Sequence, residues 1–518
     1  MADNSTSSLE SSLLYQSAMA AFERNDASEA LSLLQKTVEE NPKHYLAWNN
    51  IGFILFRAGH PKEAEHAFQQ ALQTEPGYVD ALVNLAYLYI DQADFSNASV
   101  FLERLKLRDS ANPDIPDMEK KIYGAFKFTV KPGKSAPLCT IVMATYNRPK
   151  LVEVAIKSVL AQTYPNIELC LVNDGGCDIS NVVAKFNDPR IRYFPLPVNL
   201  GAAHAYNYAI YQSKGEYIGY VADDDLLYPN HAETLVSVLE AHPEVSVAYS
   251  DQFRVTCEME NGEYTKIIEK RVDYSYEFDR MLMMAHANFI PHPCIMHRRD
   301  LFKQTGYYDE KLTVLIDWDL LRRMAFYTDF YHVKVITGEY FFPSNKKERI
   351  SDIYQKDQSK WYACRDRLYS KRPPRPWKNL SELNVFIYCD RIGEKPVSKL
   401  KLLRQLIHVP ARFLFAIDNC DANAKEVLRA VRDDDVKLLL NVTPTGLDKT
   451  LELGLNAFAR SDDWLLVIDD TVEINDAWYE TFLQQVRALF FGQYQQPATL
   501  TANAIFTNPA AVVKITGR

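Results

Sequence analysis

The chain contains no run of about 18 apolar residues, so nothing in it is expected to span a bilayer as a helix. Its first dozen residues, MADNSTSSLESS, lack the apolar core of a secretory signal. Eight cysteines are scattered at positions 139, 170, 177, 257, 294, 364, 389 and 420, with no CxxC pair and no short metal-type spacing. This argues against a disulfide framework and for free thiols in a reducing, cytoplasmic setting. Excess positive charge is also missing: 58 Lys and Arg face 67 Asp and Glu, a net charge of −9. A nucleic-acid binder would normally present a basic face, so no nucleic-acid partner is expected. What remains is an ordinary globular composition, 47% hydrophobic and 24% charged over 518 residues. Single cores rarely grow past about 250–300 residues, which predicts two to four domains.

A repeat opens the chain. Ala30, Ala64 and Ala98 recur every 34 residues, and Pro42 and Pro76 keep the same period. The middle unit is the clearest, with Trp48, Ile51, Gly52, Leu55, Ala64, Phe68, Ala71 and Pro76. Residues 10–112 thus resemble about three tetratricopeptide repeats, helix pairs that stack into a concave face for peptides or partner proteins. The other role open to such repeats is to cap or dimerise the next domain. A proline-bearing linker is expected at 113–137.

Beyond Pro137 strands and helices alternate. LCTIVMATYNRP, IELCLVNDGG and EYIGYVADDD are apolar runs that each close on polar residues, and helical periodicity separates them. Near-continuous apolar strands predict a mainly parallel sheet covered on both faces. Ligands of such sheets bind beyond the carboxyl ends of the strands, where Thr145–Arg148, Asp174 and Asp223–Asp225 fall. Three adjacent carboxylates repel by roughly 1–4 kcal/mol per neighbouring pair. With no lysine beside them, they suit a hard cation, Mg²⁺ or Mn²⁺, that bridges to phosphates. The alternative is a solvated acidic turn.

Taken in order, TIVMATYNRP, LVNDGG, NLGAAHAYN and YVADDDLLYPN resemble the family 2 glycosyltransferases of the GT-A fold. The resemblance implies a nucleotide-sugar site in which Thr145, Tyr146, Asn147 and Arg148 line the nucleotide pocket and Asp174 bonds the base. By the same matching, Gly201 and Asn207 form the glycine turn and its helix, and Asp223 faces the ribose. Asp224, with Asp225, would hold the metal. Ala222 stands where the family often has an aspartate, which leaves open which carboxylate meets the ion. Further on, GYYDEKLTVLIDWDLL places Asp317 where the family has its catalytic base, with Ile316 in place of a glutamate. Its other role would be to cap the helix it begins.

After a linker at 371–383 the pattern restarts. NVFIYCDR, ARFLFAIDN, TPTGLDKTLELGLNAF and WLLVIDDTVEINDAWY follow the first unit at offsets near 245. On that alignment Asn419 stands at Asp174, Glu452 at Asn207 and Thr471 at Asp225. The expected organisation is α/β: an all-α repeat domain over 1–112, a GT-A domain over 138–370, and a degenerate or truncated GT-A-like unit over 384–518. The implied activity is metal-dependent, inverting transfer from a nucleoside-diphosphate sugar, UDP-linked above all, to a hydroxyl acceptor. That acceptor is a protein docked by the repeats, or else a glycan or lipid-linked sugar. A non-catalytic repeat scaffold is the reading from another class.

Overall fold

The computed structural model describes residues 3–130, 135–285, 288–345, 358–372, 383–391, 394–407, 411–419, 436–441, 443–458, 464–469, 472–475, 477–482, 499–500 and 504–507. Helices pair off at the front: α1 (Asp3–Glu23) with α2 (Ala27–Glu40), α3 (Tyr45–Arg57) with α4 (Pro61–Thr74), and α5 (Val79–Asp91) with α6 (Phe95–Arg108). The alanines that set the 34-residue period, Ala30, Ala64 and Ala98, are all fully buried between these helices. At Gly52 a methyl group would come within 2.6 Å of the Phe68 ring, so only glycine lets α3 and α4 approach this closely. Asp26 and Asp94 accept backbone N–H bonds from Glu29 and Asn97 at 2.9 and 3.1 Å, capping α2 and α6.

The stretch expected as a linker is built differently. Ile115–Tyr123 forms a seventh helix, α7, which buries Ile115, Met118 and Ile122. These apolar residues join one core that runs from Phe68 and Leu102 in the repeats to Cys139, Ile141 and Val335 in the sheet beyond. Polar bonds cross the same boundary. Ser96 Oγ donates to the buried Asp251 carboxylate at 2.5 Å, and Lys270 pairs with Glu103 at 3.5 Å and Glu339 at 2.6 Å. Helix α7 is held against the fold because every third or fourth of its residues is apolar and needs cover.

The central sheet begins with β1 (Cys139–Thr145), α8 (Pro149–Leu160), β2 (Ile167–Asn173), α9 (Ser180–Ala184), β3 (Ile191–Pro195), α10 (Ala202–Gln212) and β4 (Tyr217–Tyr220). Here β3, β2, β1 and β4 lie side by side and parallel. Almost every residue of β1 and β2 is buried, which is why these strands read as unbroken apolar runs. The sheet then turns mixed with β5 (Leu226–Leu227), α11 (His231–Ala241), β6 (Val247–Glu260), β7 (Glu263–Arg271), α12 (Arg280–Ala285), β8 (Ile295–Arg298), α13 (Phe302–Thr305), α14 (Ile316–Met324) and β9 (Phe330–Pro343). Its full order is β3-β2-β1-β4-β8-β6-β9-β5, with β7 on β6 and β8 antiparallel to β4.

A smaller sheet follows α15 (Gln358–Ser370): β10 (Leu383–Cys389), α16 (Glu394–Leu406), β11 (Ala411–Ile417), β12 (Val436–Leu440), α17 (Leu447–Phe458), β13 (Trp464–Ile468), β14 (Thr499–Leu500) and β15 (Ala504–Thr507). Its order, β12-β11-β10-β13-β15-β14, repeats that of the first sheet: four parallel strands, then an antiparallel one. The two units share one apolar core that runs from Trp318 and Leu321 to Leu403, Phe413 and Phe482, and α14 is braced on α15. Arg322 of α14, 1% exposed, donates to the carbonyls of Leu368 and Lys371 at the end of α15, at 3.1 and 2.8 Å. Lys371 answers by reaching Asp319 of α14 at 2.5 Å. A helix end left with unsatisfied carbonyls is thereby closed by a buried guanidinium.

Deleting residues 1–112 should therefore lower stability rather than release an intact enzyme. It strips apolar cover from α7 and leaves the buried Asp251 carboxylate short of one partner. The truncated chain is expected to unfold at lower denaturant than the full chain, or to aggregate; an equal midpoint would show the repeats to be independent.

Candidate active site

The three aspartates that follow β4 are held in three different ways. Asp223 accepts a 2.7 Å bond from Thr145 Oγ1, at the end of β1, and a 2.8 Å bond from Arg148 Nη1. Asp224 takes the same guanidinium nitrogen at 2.6 Å. Asp225 is turned away from Arg148 and accepts the backbone N–H of Phe341 in β9 at 3.2 Å. The compensating charge that looked absent is thus Arg148, which lies 75 residues away in sequence, at the start of α8. Burial pushes the Asp223 carboxyl up to about 6, helped by Asp224 and opposed by Arg148 and Thr145. Burial and then Asp224 also raise Asp225 well above the ordinary carboxylate range.

The neighbouring strand ends complete this edge. Tyr146, next to Thr145 in sequence, is 48% exposed. Asn147 adopts φ +57° and accepts the Cys177 N–H at 2.8 Å, tying the end of β1 to the turn after β2. Asp174 accepts backbone N–H bonds from Leu200 and Gly201 at 2.9 and 2.8 Å. Gly201, at φ +93°, opens α10 in a conformation that suits only glycine. A carboxylate offers about four acceptor positions, so these two bonds leave Asp174 roughly half of its capacity. Asn207 is a departure from expectation. Its amide donates to Tyr308 O at 3.0 Å and Glu310 Oε1 at 2.8 Å and accepts the Tyr308 N–H at 2.9 Å. It staples α10 to the loop before α14, with both amide hydrogens and one of its two acceptor positions taken up there.

Asp317 lies in the first turn of α14, which follows Leu315 in the left-handed region at φ +61°. Its carboxylate accepts a 2.8 Å bond from Asn288 Nδ2. Burial raises its pKa, opposed by the N–H groups of Trp318 and Asp317 and by Asn288. Asp223, Asp224, Asp225 and Asp317 all act on the buried Tyr206 phenol, whose pKa burial and then these carboxylates raise. Asp225 and Asn288, the partner of Asp317, line one cavity, so the strand end and the start of α14 face one region. His292, half-buried, is bonded to Tyr308 OH at 2.6 Å, and His297, fully buried, to Tyr220 OH at 2.7 Å.

The second sheet revises the sequence alignment. Asp418 N–H donates to Cys389 O at 2.9 Å just as Asp174 N–H donates to Thr145 O at 3.0 Å. Asp418, not Asn419, is thus the counterpart of Asp174, and it accepts the N–H groups of Thr445 and Gly446 as Asp174 accepts those of Leu200 and Gly201. Asn441, the Thr445 and Thr450 hydroxyls and Tyr388 OH also donate to it, at 2.9 to 3.1 Å. Six donors fill a carboxylate with about four acceptor positions. Asp470 and Thr471, on which the rest of the comparison turned, lie outside the described residues.

Helical repeats followed by this mixed sheet, with its acidic strand end, define a nucleotide-sugar transferase architecture of the GT-A kind, and comparison with known proteins agrees. The glycosyl transferase family 2 model matches residues 140–306, and tetratricopeptide-repeat models match 15–59 and 55–118. The uncharacterised glycosyltransferase YwdF of Bacillus subtilis is 31% identical over 187 residues, 36% of this chain and 67% of that protein. An uncharacterised glycosyltransferase of Rickettsia typhi is 32% identical over 192 residues, 37% of this chain. The chain spans 59% of that Rickettsia protein's length. The solved structure of Staphylococcus aureus TarS residues 1–349 aligns at TM-score 0.35 and 17% identity, covering 45% of this chain and 64% of that one. The chain belongs to glycosyl transferase family 2.

Removing the Asn207 amide tests its assignment as a staple. Asn207→Ala leaves buried backbone groups of Tyr308 without partners and should cost about 1–3 kcal/mol of stability, read by chemical denaturation. Unchanged stability would return Asn207 to the ligand side.

Proposed function

We propose that the chain is an inverting transferase that moves a hexosyl group from a UDP-sugar to a hydroxyl acceptor. The observation that supports this most is that Asp225, at the acidic strand end, and Asn288, which bonds Asp317, line one cavity at the carboxyl edge of the sheet. Tyr146 offers its exposed ring to the base, and Asp174 and Asn147 shape the turn beneath it. Asp223, bonded to Thr145 and Arg148, faces the ribose. Arg148, 39% exposed, also supplies a cation for the diphosphate.

Among the described residues, no cluster of three or more His, Cys, Asp or Glu side chains could enclose a metal by itself. The donor set nevertheless fits Mg²⁺ or Mn²⁺, which commonly keep water and take one or two carboxylates plus substrate phosphates. Asp224 is the carboxylate for that role. Asp225 is set apart from it, since it faces away from Arg148 and holds the Phe341 N–H. When bound, such an ion neutralises charge on the leaving diphosphate.

Asp317 is the general base in this reading. Its raised pKa brings it nearer the working range of a base, and Asn288 orients its carboxylate. It takes the proton of the acceptor hydroxyl as that oxygen attacks the anomeric carbon from the face opposite the diphosphate. The repeats bear directly on β6 through Ser96 and Asp251, which supports a protein acceptor delivered from that side. The second sheet is read as a degenerate second copy that binds no nucleotide, because donors within the chain already fill Asp418.

Asp224→Ala should abolish metal-dependent UDP binding while the fold survives, since it removes one of two carboxylates crowded onto Arg148. Calorimetry with UDP and Mn²⁺ reads this, and wild-type affinity in the variant would move the ion elsewhere. Asp317→Asn should keep UDP affinity and lower transfer about 10²–10⁴-fold. In the parent, transfer should fall as pH drops through the raised Asp317 pKa, because only the ionised carboxylate accepts the proton. Asn at 317 should remove that acidic limb from whatever rate remains.

A further inference from the structure

Beside Asp225 a cavity of about 180 Å³ opens between β6, β9 and the loop that precedes β8. Asp225, Gln252, Asn288, His292 and Tyr340 are among the residues that line it. It is too small for a drug-sized ligand, whose pockets run to about 300–1,000 Å³. One pyranose ring is the scale it suits.

Gln252 is the unusual member. The residue is 5% exposed, yet its side-chain Oε1 is buried without a hydrogen-bond partner. Buried side-chain amides are normally satisfied, and leaving one unpaired is unfavourable. The backbone explains how it comes to face the cavity. Between β6 and β9 the register runs from Asp251 opposite Ile336 to Phe253 opposite Glu339, with a shift at Gln252. Such bulges re-aim a side chain, and they are common beside active sites. On either side of it, Asp251 turns to Ser96 and His332, and Phe253 turns into a core with Val255 and Ile336. Other polar groups of the cavity are already engaged: Asn288 donates to Asp317 and accepts from Ile290 N–H, and His292 is bonded to Tyr308 OH.

We infer that Gln252 and Asp225 form a sugar-hydroxyl subsite, in which a hexose ring donates hydroxyls to the Gln252 amide oxygen and the Asp225 carboxylate. This deepens the transferase reading and rests on it. The subsite touches the acidic strand end through Asp225 and the base-bearing helix through Asn288, so its occupant lies between donor diphosphate and base. Both rings in the reaction, that of the donor and that of a sugar acceptor, have the required chemistry. None of the cavity-lining residues comes from β1, β2 or β3, so nucleotide recognition is separable from it.

The full-length Gln252→Leu variant tests the assignment, with Gln252→Asn as a milder companion in case leucine disturbs β6. UDP, UDP-glucose, UDP-galactose and UDP-N-acetylglucosamine are the probes, each with Mn²⁺. If the donor ring fills the subsite, UDP affinity holds while the extra affinity of the best UDP-sugar over UDP falls about 10- to 100-fold. A deoxy analogue of that sugar, lacking the contacted hydroxyl, should then bind parent and Gln252→Leu alike. If the acceptor ring fills it, UDP-sugar binding and hydrolysis hold, and transfer to methyl glucosides loses at least about tenfold against hydrolysis. Wild-type behaviour of both variants in every assay would overturn the inference and leave Gln252 facing solvent alone. Failure of the parent itself to bind UDP would instead overturn the transferase reading, and the subsite with it.

Discussion

Three carboxylates cannot share one turn unless each finds separate compensation, and the architecture around residues 223–225 follows from that requirement. Arg148 neutralises Asp223 and Asp224 together, which anchors the first turn of α8 to the end of β4. Thr145 Oγ1 takes the other side of Asp223 and brings in β1. Asp225 is satisfied by the backbone of β9, so the far part of the sheet is drawn to the same point. A single dipeptide step separates a carboxylate paired with Arg148 from one lining the cavity. The crowding that looked costly in sequence is what fastens four elements to one edge.

Much of this was readable beforehand, and the parts that were not share a cause. The strand ends at Thr145, Asp174 and Asp223 were visible because parallel strands buried on both faces leave an abrupt change from apolar to polar residues. Gly201 was visible because its backbone has φ +93°, where few other residues are stable. Arg148 was read as lining the nucleotide pocket, but its counter-ions were hidden by 75 residues of intervening chain. Asn207 was misplaced because spacing fixes its position on α10 but says nothing of the Tyr308 loop that packs there. Gln252 carries no local signal at all. A register shift between β6 and β9 exists only once the two strands are paired.

The second sheet shows how a one-residue slip changes a functional reading. Counting from glycine to glycine gives an offset of 245 and selects Asn419, which suggests a lost carboxylate. Strand register gives 244 at that point and selects Asp418, which keeps the carboxylate and the turn it organises. What differs is vacancy. Ala144 precedes Thr145 in β1, whereas Tyr388 precedes Cys389 in β10 and places its hydroxyl on Asp418 at 3.1 Å. The scaffold function of this aspartate has survived in both units, while only Asp174 retains acceptor positions for anything else. The second unit also backs the first, since Trp318 and Leu321, on the helix that bears Asp317, share an apolar core with Phe413 and Phe482.

The placement of the repeats bears on the acceptor. Their last helix pair and α7 share an apolar core with the sheet, so the concave face is fixed in orientation and cannot search freely. The polar contacts that fix it fall on β6 and β7, where Asp251 and Lys270 meet Ser96 and Glu103. Gln252 follows Asp251 directly, and at the register shift between Asp251 and Phe253 it lines the cavity while Asp251 holds Ser96. One strand therefore meets the repeats on one side and the cavity on the other. An acceptor held by the repeats would be registered against the reaction centre by the backbone of β6, with no flexible tether to average the distance. Such coupling would impose a fixed reach between docking segment and modified hydroxyl, a restriction that a loosely linked repeat domain could not impose.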